Sequence, residues 1–184
     1  LGNKRVLTKD DWLRAAMEVL RTQGVGGVRV LKLAGSLGVT RGSFYWHFRD
    51  RQDLLDHMVD WWDREMTDTV ITHIGMVRGG AYRRVLALGE LVLKRDLNRY
   101  DIAMRSWAKG DPEVAPVVER VLKKRVAYVS SLLLQAGFSP AEARNRGHLL
   151  AIYIMSEGEV FMGESLEARL RLLRRQVRSL TRHE

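Results

Sequence analysis

Apolar residues recur at intervals of three and four along almost the whole chain, which predicts helices throughout and no strand. Trp12, Leu13, Ala16, Val19 and Leu20 mark a first helix, opened by the capping pair Thr8 and Asp11 and ended by Gly24, Gly26 and Gly27. A second helix is predicted over 28–37, with Val30, Leu33, Ala34 and Leu37 on its buried side. Leu54, Leu55, Met58, Val59, Trp62, Met66, Val70 and Ile74 then predict one long rod from Asp50 to about residue 74, with Asp50 and Asp53 as its cap and acidic first turn. Further helices are expected over 81–94, 98–108 and 111–137, the last with Asp111 as cap and Pro112 in its first turn. Ser139 and Glu142 form a full capping box before the next. The expected class is all-α, with about nine helices.

Between the second helix and the rod lies Thr40-Arg41-Gly42-Ser43-Phe44-Tyr45-Trp46-His47-Phe48. Gly38 is placed to stop the preceding helix in the left-handed conformation, and Thr40 to cap the next one. Two short helices joined by a tight turn are the sequence form of a helix-turn-helix. Phe44 and Phe48, four apart, are the expected buried anchors. Arg41, Ser43, Tyr45 and His47 then project outward, donors and flat rings suited to phosphates and base edges. Trp46 stands among them, and Arg29 and Lys32 on the second helix are left for solvent or for phosphates. The plain alternative is a surface helix that fills a corner of an all-helical protein.

Two late helices look unsuited to a monomer. His148 to Met155 is apolar almost all the way round, which predicts burial on every side, with Leu150 and Ile154 at a contact. Leu166, Leu170, Leu173, Val177 and Leu180 step by four and three, a heptad-type seam set among arginines. Self-association through these two helices is the economical reading, and a homodimer is expected; the alternative is that both cap the chain's own core.

Charge sharpens the picture. Of the net +9, residues 1–51 carry +6, from ten Lys and Arg against four Asp and Glu, as a polyanion-binding segment would require. Lys4 and Arg5 form a basic arm able to follow a phosphate backbone. A second excess, Arg169 to Arg182, reads first as a solvated helix face. The chain has no cysteine, which excludes disulfides, thiolate metal sites and a thiol nucleophile. No apolar run reaches the roughly 18 to 20 residues that span a bilayer, and no basic-then-apolar leader opens the sequence. A soluble, cytoplasmic protein with no membrane contact is expected.

Candidate chemistry is sparse. Trp62, Met66, Met104, Trp107, Tyr128 and Tyr153 are large, soft or flat groups that can line a pocket for a largely apolar ligand, or can simply fill the core. Glu157 and Glu159 stand ready to orient a polar group of such a ligand, or to face solvent or an interface. His57, four residues from Asp53 and three from Asp60, has metal-ligand spacing on a helix, although a solvated face is the simpler reading; His73, His148 and His183 have no matching partners. No Walker-type glycine loop and no nucleophile elbow is present, so an enzyme is not expected and no cofactor is called for.

Residues 8–55 resemble the DNA-binding domain of the TetR family of transcriptional regulators. The match rests on the apolar first helix before Gly24, on Leu33-Ala34 with Leu37-Gly38-Val39-Thr40, on Gly42 to Phe48, and on Arg51 before Leu54-Leu55. The resemblance implies that Arg41, Gly42, Ser43, Tyr45 and His47 face the groove and that Arg51 holds a phosphate. Val28 departs from the family, which usually opens the second helix with Ser or Thr. It implies a DNA-binding domain over 1–52 and a helical ligand-binding and dimerisation domain over 53–184. The implied partners are a double-stranded palindromic operator, a second copy and a small-molecule effector that releases a repressor. An activator, or an adaptor without such a ligand, is the alternative.

Overall fold

The computed structural model describes residues 7–161 and 163–182; Lys4, Arg5 and His183 lie outside them. The described residues form helices and no strand: α1 Lys9–Gln23, α2 Val30–Ser36, α3 Arg41–Phe44, α4 Arg51–Asp63, α5 Thr69–Gly75, α6 Ala81–Arg95, α7 Asp101–Gly110, α8 Val114–Gln135, α9 Pro140–Val160 and α10 Leu166–Leu180. A π turn, Arg64–Asp68, joins α4 to α5 without a break, so the ten segments make nine helices, as the apolar periodicity predicts. Short 3₁₀ turns at Val25–Gly27 and Leu97–Tyr100 fill places where the sequence offered only glycines or a helix end. Among the described residues, no helix is long and apolar enough to cross a membrane.

Local chemistry explains the helix ends. Thr8 and Asp11 complete a reciprocal capping box on α1, and Ser139 and Glu142 do the same on α9. Asp111 Oδ1 accepts from the amides of Glu113 and Val114 at 3.0 and 3.3 Å, so α8 starts two residues beyond Pro112. Gly38 takes φ 68° and turns the chain between α2 and α3. Thr40 departs from expectation: its backbone is extended, yet its side chain caps no amide and instead lies 3.4 Å from the Ser43 hydroxyl.

The chain divides into two compact units. The first comprises the residues up to Asp63 together with Tyr100–Val117; the second comprises Arg64–Arg99 and the residues from Val118 onward. The first unit thus reaches past residue 52 and recruits α7, because α4 and α7 close its core. Four carboxylates there are tied to aromatic donors. Trp61 Nε1 donates to Asp10 at 2.6 Å, Trp62 Nε1 to Asp101 at 2.9 Å, Trp107 Nε1 to Asp111 at 2.9 Å, and the Tyr100 hydroxyl to Glu18 at 2.6 Å. Each ring buries its apolar body while its polar edge is satisfied, which is the condition for burying an indole at little cost.

The core of the second unit joins α5, α6, α8, α9 and α10. Leu150, Ile154, Leu170, Leu173 and Val177, expected at a dimer contact, all belong to it and are nearly or fully buried within the single chain. Contrary to the spacing-based expectation of a seam open to a second copy, the apolar side of α10 packs on its own α6 and α9, with Leu166, at 43% exposure, standing outside. The helix predicted to be buried all round is instead two-sided, with Leu149 and Ile152 of α9 exposed by 57% and 45%. Glu157 is buried and paired with Arg169 through two hydrogen bonds, so it holds α10 to α9. Gly147 lets α9 approach α8 closely; a Cβ there would lie 2.4 Å from Ser130 Oγ and 2.7 Å from its Cα.

Because the nearest atoms include rigid backbone, Gly147→Ala is expected to force the two helices apart and cost about 1 to 3 kcal/mol, read as a lowered urea midpoint. A midpoint equal to that of the wild type would show that the helices do not cross as described.

Candidate nucleic-acid interface

The segment that carries the candidate site is too short to hold a shape by itself. Only Arg41–Phe44 is α-helical, and single turns continue it to His47, whose amide donates to the Phe44 carbonyl at 2.9 Å. Its conformation is fixed from beneath. Phe44 and Phe48, both buried, stack with ring centroids 5.2 Å apart, and Trp12 of α1 meets Phe44 edge-on at 5.5 Å. Such a ring cluster contributes both area and orientation, so the opposite side of the segment is presented at a set angle.

That opposite side is open. Arg41, Gly42, Tyr45 and Trp46 are exposed, Trp46 by 88%, and Ser43 is half-buried. Arg41 donates through Nε and Nη2 to the Tyr45 hydroxyl at 3.2 and 2.8 Å, with its guanidinium 5.6 Å from the ring centroid. The hydroxyl accepts, so its own hydrogen remains to donate outward. Arg41 and Tyr45 therefore form one preorganised group rather than two independent side chains. His47 does not project as the spacing predicted: it is half-buried, its ring 6.5 Å from Trp12 and 6.4 Å from Phe48. On α2, Lys32 is exposed, and Arg29, just before that helix, is exposed and donates through Nε to the Gly26 carbonyl at 3.2 Å.

Arg51 also differs from expectation. Its Nε donates to the Val28 carbonyl at 2.7 Å and its Nη2 to the Val25 carbonyl at 2.8 Å. The guanidinium thus pins the 3₁₀ turn that precedes α2 to the start of α4. Val28, the position that departs from the family pattern, is fully buried, and its carbonyl is one of the two held. Sequence reasoning missed this role, since no spacing rule links residues 23 and 26 apart. The start of α4 is fixed again by Asp53, which accepts from the Arg49 amide at 2.9 Å and from its guanidinium at 3.2 Å. The hydrogen bond donated by the Arg49 backbone amide leads in holding the Asp53 carboxyl below its ordinary range. His57, the candidate metal ligand, lies with Nε2 2.7 Å from Lys9 Nζ and Nδ1 2.6 Å from the Asp53 carbonyl.

The candidate ligand residues do not converge on one place. Trp62, Met104 and Trp107 are buried in the first unit. Met66 and Tyr128 line a small cavity in the second, together with Thr67, Leu88, Asn98, Arg125 and Ile154. Its volume of about 40 Å³ is room for a few water molecules. Arg125 Nε donates to Thr67 Oγ1 at 2.9 Å there. Tyr153 lies elsewhere; its hydroxyl is buried without a hydrogen-bond partner, and burial pushes its pKa up to about 12.

Comparison with known proteins bears on the same segment. The family model for bacterial regulatory proteins of the tetR family matches residues 13–58. Over 162 residues the chain is 28% identical to the class C tetracycline repressor protein of Escherichia coli, covering 88% of this chain and 68% of that protein. It is 44% identical over 48 residues to the class A tetracycline repressor protein from transposon 1721, a match that spans 26% of this chain but only 22% of that relative. Among solved structures, a TetR transcriptional regulator from Legionella pneumophila superposes with a TM-score of 0.74 at 13% identity, over 96% of this chain and 98% of that one. A transcriptional regulator from Rhodococcus sp. gives 0.72 at 19% identity, over 95% and 96%. The two structures share the fold.

Arg51→Ala is expected to lower stability by about 1 kcal/mol or more, because two carbonyls lose a charged donor. Arg51→Lys should not restore it, since one ammonium cannot span both carbonyls; full rescue by lysine in urea melts would place the role of Arg51 in its charge alone. The depressed Asp53 carboxyl stabilises the fold above the ordinary carboxylate range, and that contribution is lost as pH falls through the depressed value. Asp53→Asn should therefore flatten the fall in Tm below about pH 5, down through the depressed value. An unchanged acid limb would assign it to other carboxylates.

Proposed function

This chain belongs to the TetR family of transcriptional regulators, and from that premise we propose that it is a repressor that binds a palindromic operator as a homodimer and is released by a small, largely apolar ligand. The observation that carries the reading is the exposed Arg41–Tyr45–Trp46 surface held over the buried Phe44 and Phe48. Arg41 and Tyr45 supply donors for base edges, Ser43 and Thr40 supply hydroxyls for phosphates, and Gly42 allows close backbone approach. Trp46 lies flat against sugar or base, while Arg29 and Lys32 reach phosphates beside the groove. His47 braces the segment from its half-buried position, and Arg51 acts by fixing the turn before α2.

A palindrome requires two reading segments about 34 to 36 Å apart, and hence a second copy. The surface proposed for it is the exposed side of α8 and α9. Leu134, Leu149 and Ile152 are exposed there by 47%, 57% and 45%, beside an apolar groove of about 590 Å³ that includes Leu122, Val126 and Ala127. Effector binding is proposed for the second unit, whose cavity must widen to admit a molecule. Met66 and Thr67 of its lining belong to the π turn of the helical run from Arg51 to Gly75. π turns recur at functional sites because their spare residue can be given up, and a tenfold loss of operator affinity asks for only about 1.4 kcal/mol of coupling.

The reading is tested by binding to the DNA upstream of the chain's own gene. Preference for that DNA over random duplex at moderate salt is expected, and its absence would end the proposal. Arg41→Ala and Tyr45→Ala should each weaken operator binding by at least about 1 kcal/mol, and the double variant by less than their sum, because the two side chains act as one group. Leu149→Asp or Ile152→Asp should give folded monomers by analytical ultracentrifugation, whereas Leu173→Asp should unfold the second unit. Dimers persisting in both surface variants would move the interface elsewhere.

A further inference from the structure

The positive charge of the chain does not lie where its reading surface does. Taken by unit, the first carries 12 Lys and Arg against 11 Asp and Glu, a net +1, and the second carries 19 against 11, a net +8. The near-neutrality of the first unit has a structural cause: Asp10, Glu18, Asp101 and Asp111 are needed there as acceptors for buried rings. The expectation that the excess belongs to the reading segment holds for residues 1–51 but not for the folded unit that contains them. Long-range attraction to a polyanion must come mainly from the second unit.

Within that unit the charge is ordered along α10. Arg171, Arg175, Arg178 and Arg182 follow one another by four, three and four residues, which sets them on one side of the helix or just beyond its end, and all four are exposed. The opposite side, with Leu170, Leu173 and Val177, is buried. Arg169 and Arg174 are committed to Glu157 and Glu90, and Arg171 pairs with Glu167. Among the described residues, Arg175, Arg178 and Arg182 have no ion-pair partner. From Arg171 to Arg178 the helix rises roughly 10 Å, comparable to the rise of three phosphates along one strand of a duplex.

We propose that this arginine stripe is a second, sequence-independent contact for the phosphate backbone of duplex DNA. The chemistry of the face favours that partner. The one large apolar side chain exposed on α10 among the described residues is Leu166, at the far end from Arg178 and Arg182, and the pocket at that end, lined by Phe161, Ala168 and Leu172, includes none of Arg175, Arg178 and Arg182, so these arginines offer nothing to enter a bilayer and no anchor site for a peptide. Guanidinium groups spaced along a rod match a line of phosphates, each of which can accept two of their donors. The contact draws its biological sense from the reading of the chain as a DNA regulator, but it requires no operator.

The experiment uses the full chain and a random-sequence duplex. Affinity is measured across a salt series for the wild type, for the triple variant Arg175→Gln, Arg178→Gln and Arg182→Gln, and for the corresponding triple substitution to Lys. Each lost phosphate contact should reduce the log–log salt slope by about 0.9, so the Gln triple is expected to lose about 2 to 3 of the slope and the Lys triple to keep it. A Gln triple with the wild-type slope overturns the proposal, whether or not the operator is recognised. A Gln triple that keeps its DNA slope but loses binding to phosphatidylserine vesicles overturns it in favour of a membrane surface. The converse outcome, a slope that falls as expected in a protein with no operator preference, leaves the stripe assigned and removes the proposed repressor function.

Discussion

The structure of the candidate segment depends on the packing of Trp12 against Phe44, and of Phe44 against Phe48. A helix of four residues makes almost no hydrogen bonds of its own, so its conformation must be imposed by what lies beneath it. The ring cluster does this from α1, while the Arg51 guanidinium, at the start of α4, fixes the turn before α2 by holding the carbonyls of Val25 and Val28. The exposed face of the segment is consequently set by the buried rings of Trp12, Phe44 and Phe48 beneath it. Among its own members, Arg41 and Tyr45 are joined by hydrogen bonds before any partner arrives, which lowers the ordering cost of binding.

Much of this was legible in the sequence, for identifiable reasons. Spacings of three and four located the helices because helical periodicity is local, and the Thr8 and Ser139 capping boxes formed because their partners lie three residues away. Gly38 required a positive φ that few other residues tolerate. Phe44 and Phe48 were recognisable as anchors since a polar segment needs something apolar to sit on.

What was not legible depended on tertiary partners. The leucine seam of α10 has the same spacing whether it faces a second chain or its own α6, so Leu170, Leu173 and Val177 gave no means of choosing between them. Trp62, Met104 and Trp107 were recognisable as buried, but that they join the first unit follows from α7 packing there, which no local rule encodes. Arg51 and the Thr40 cap failed in a similar way. The resemblance implied a phosphate contact for Arg51 and spacing implied a cap for Thr40, whereas in the fold Arg51 holds two distant carbonyls and the Thr40 hydroxyl lies against Ser43. The acidic residues of the first unit look like surface charge in sequence, yet several are acceptors for buried rings, and this moves the balance of charge to the second unit.

The distribution of the five tryptophans has a practical meaning. Trp12, Trp61, Trp62 and Trp107 are all nearly or fully enclosed, whereas Trp46 stands in water on the exposed side of the short helical segment. Enclosed indoles emit at shorter wavelength than hydrated ones, so the red edge of the intrinsic fluorescence spectrum belongs to Trp46 alone. The molecule carries its own optical probe at the surface where its partner is proposed to arrive, and needs no label to report that arrival.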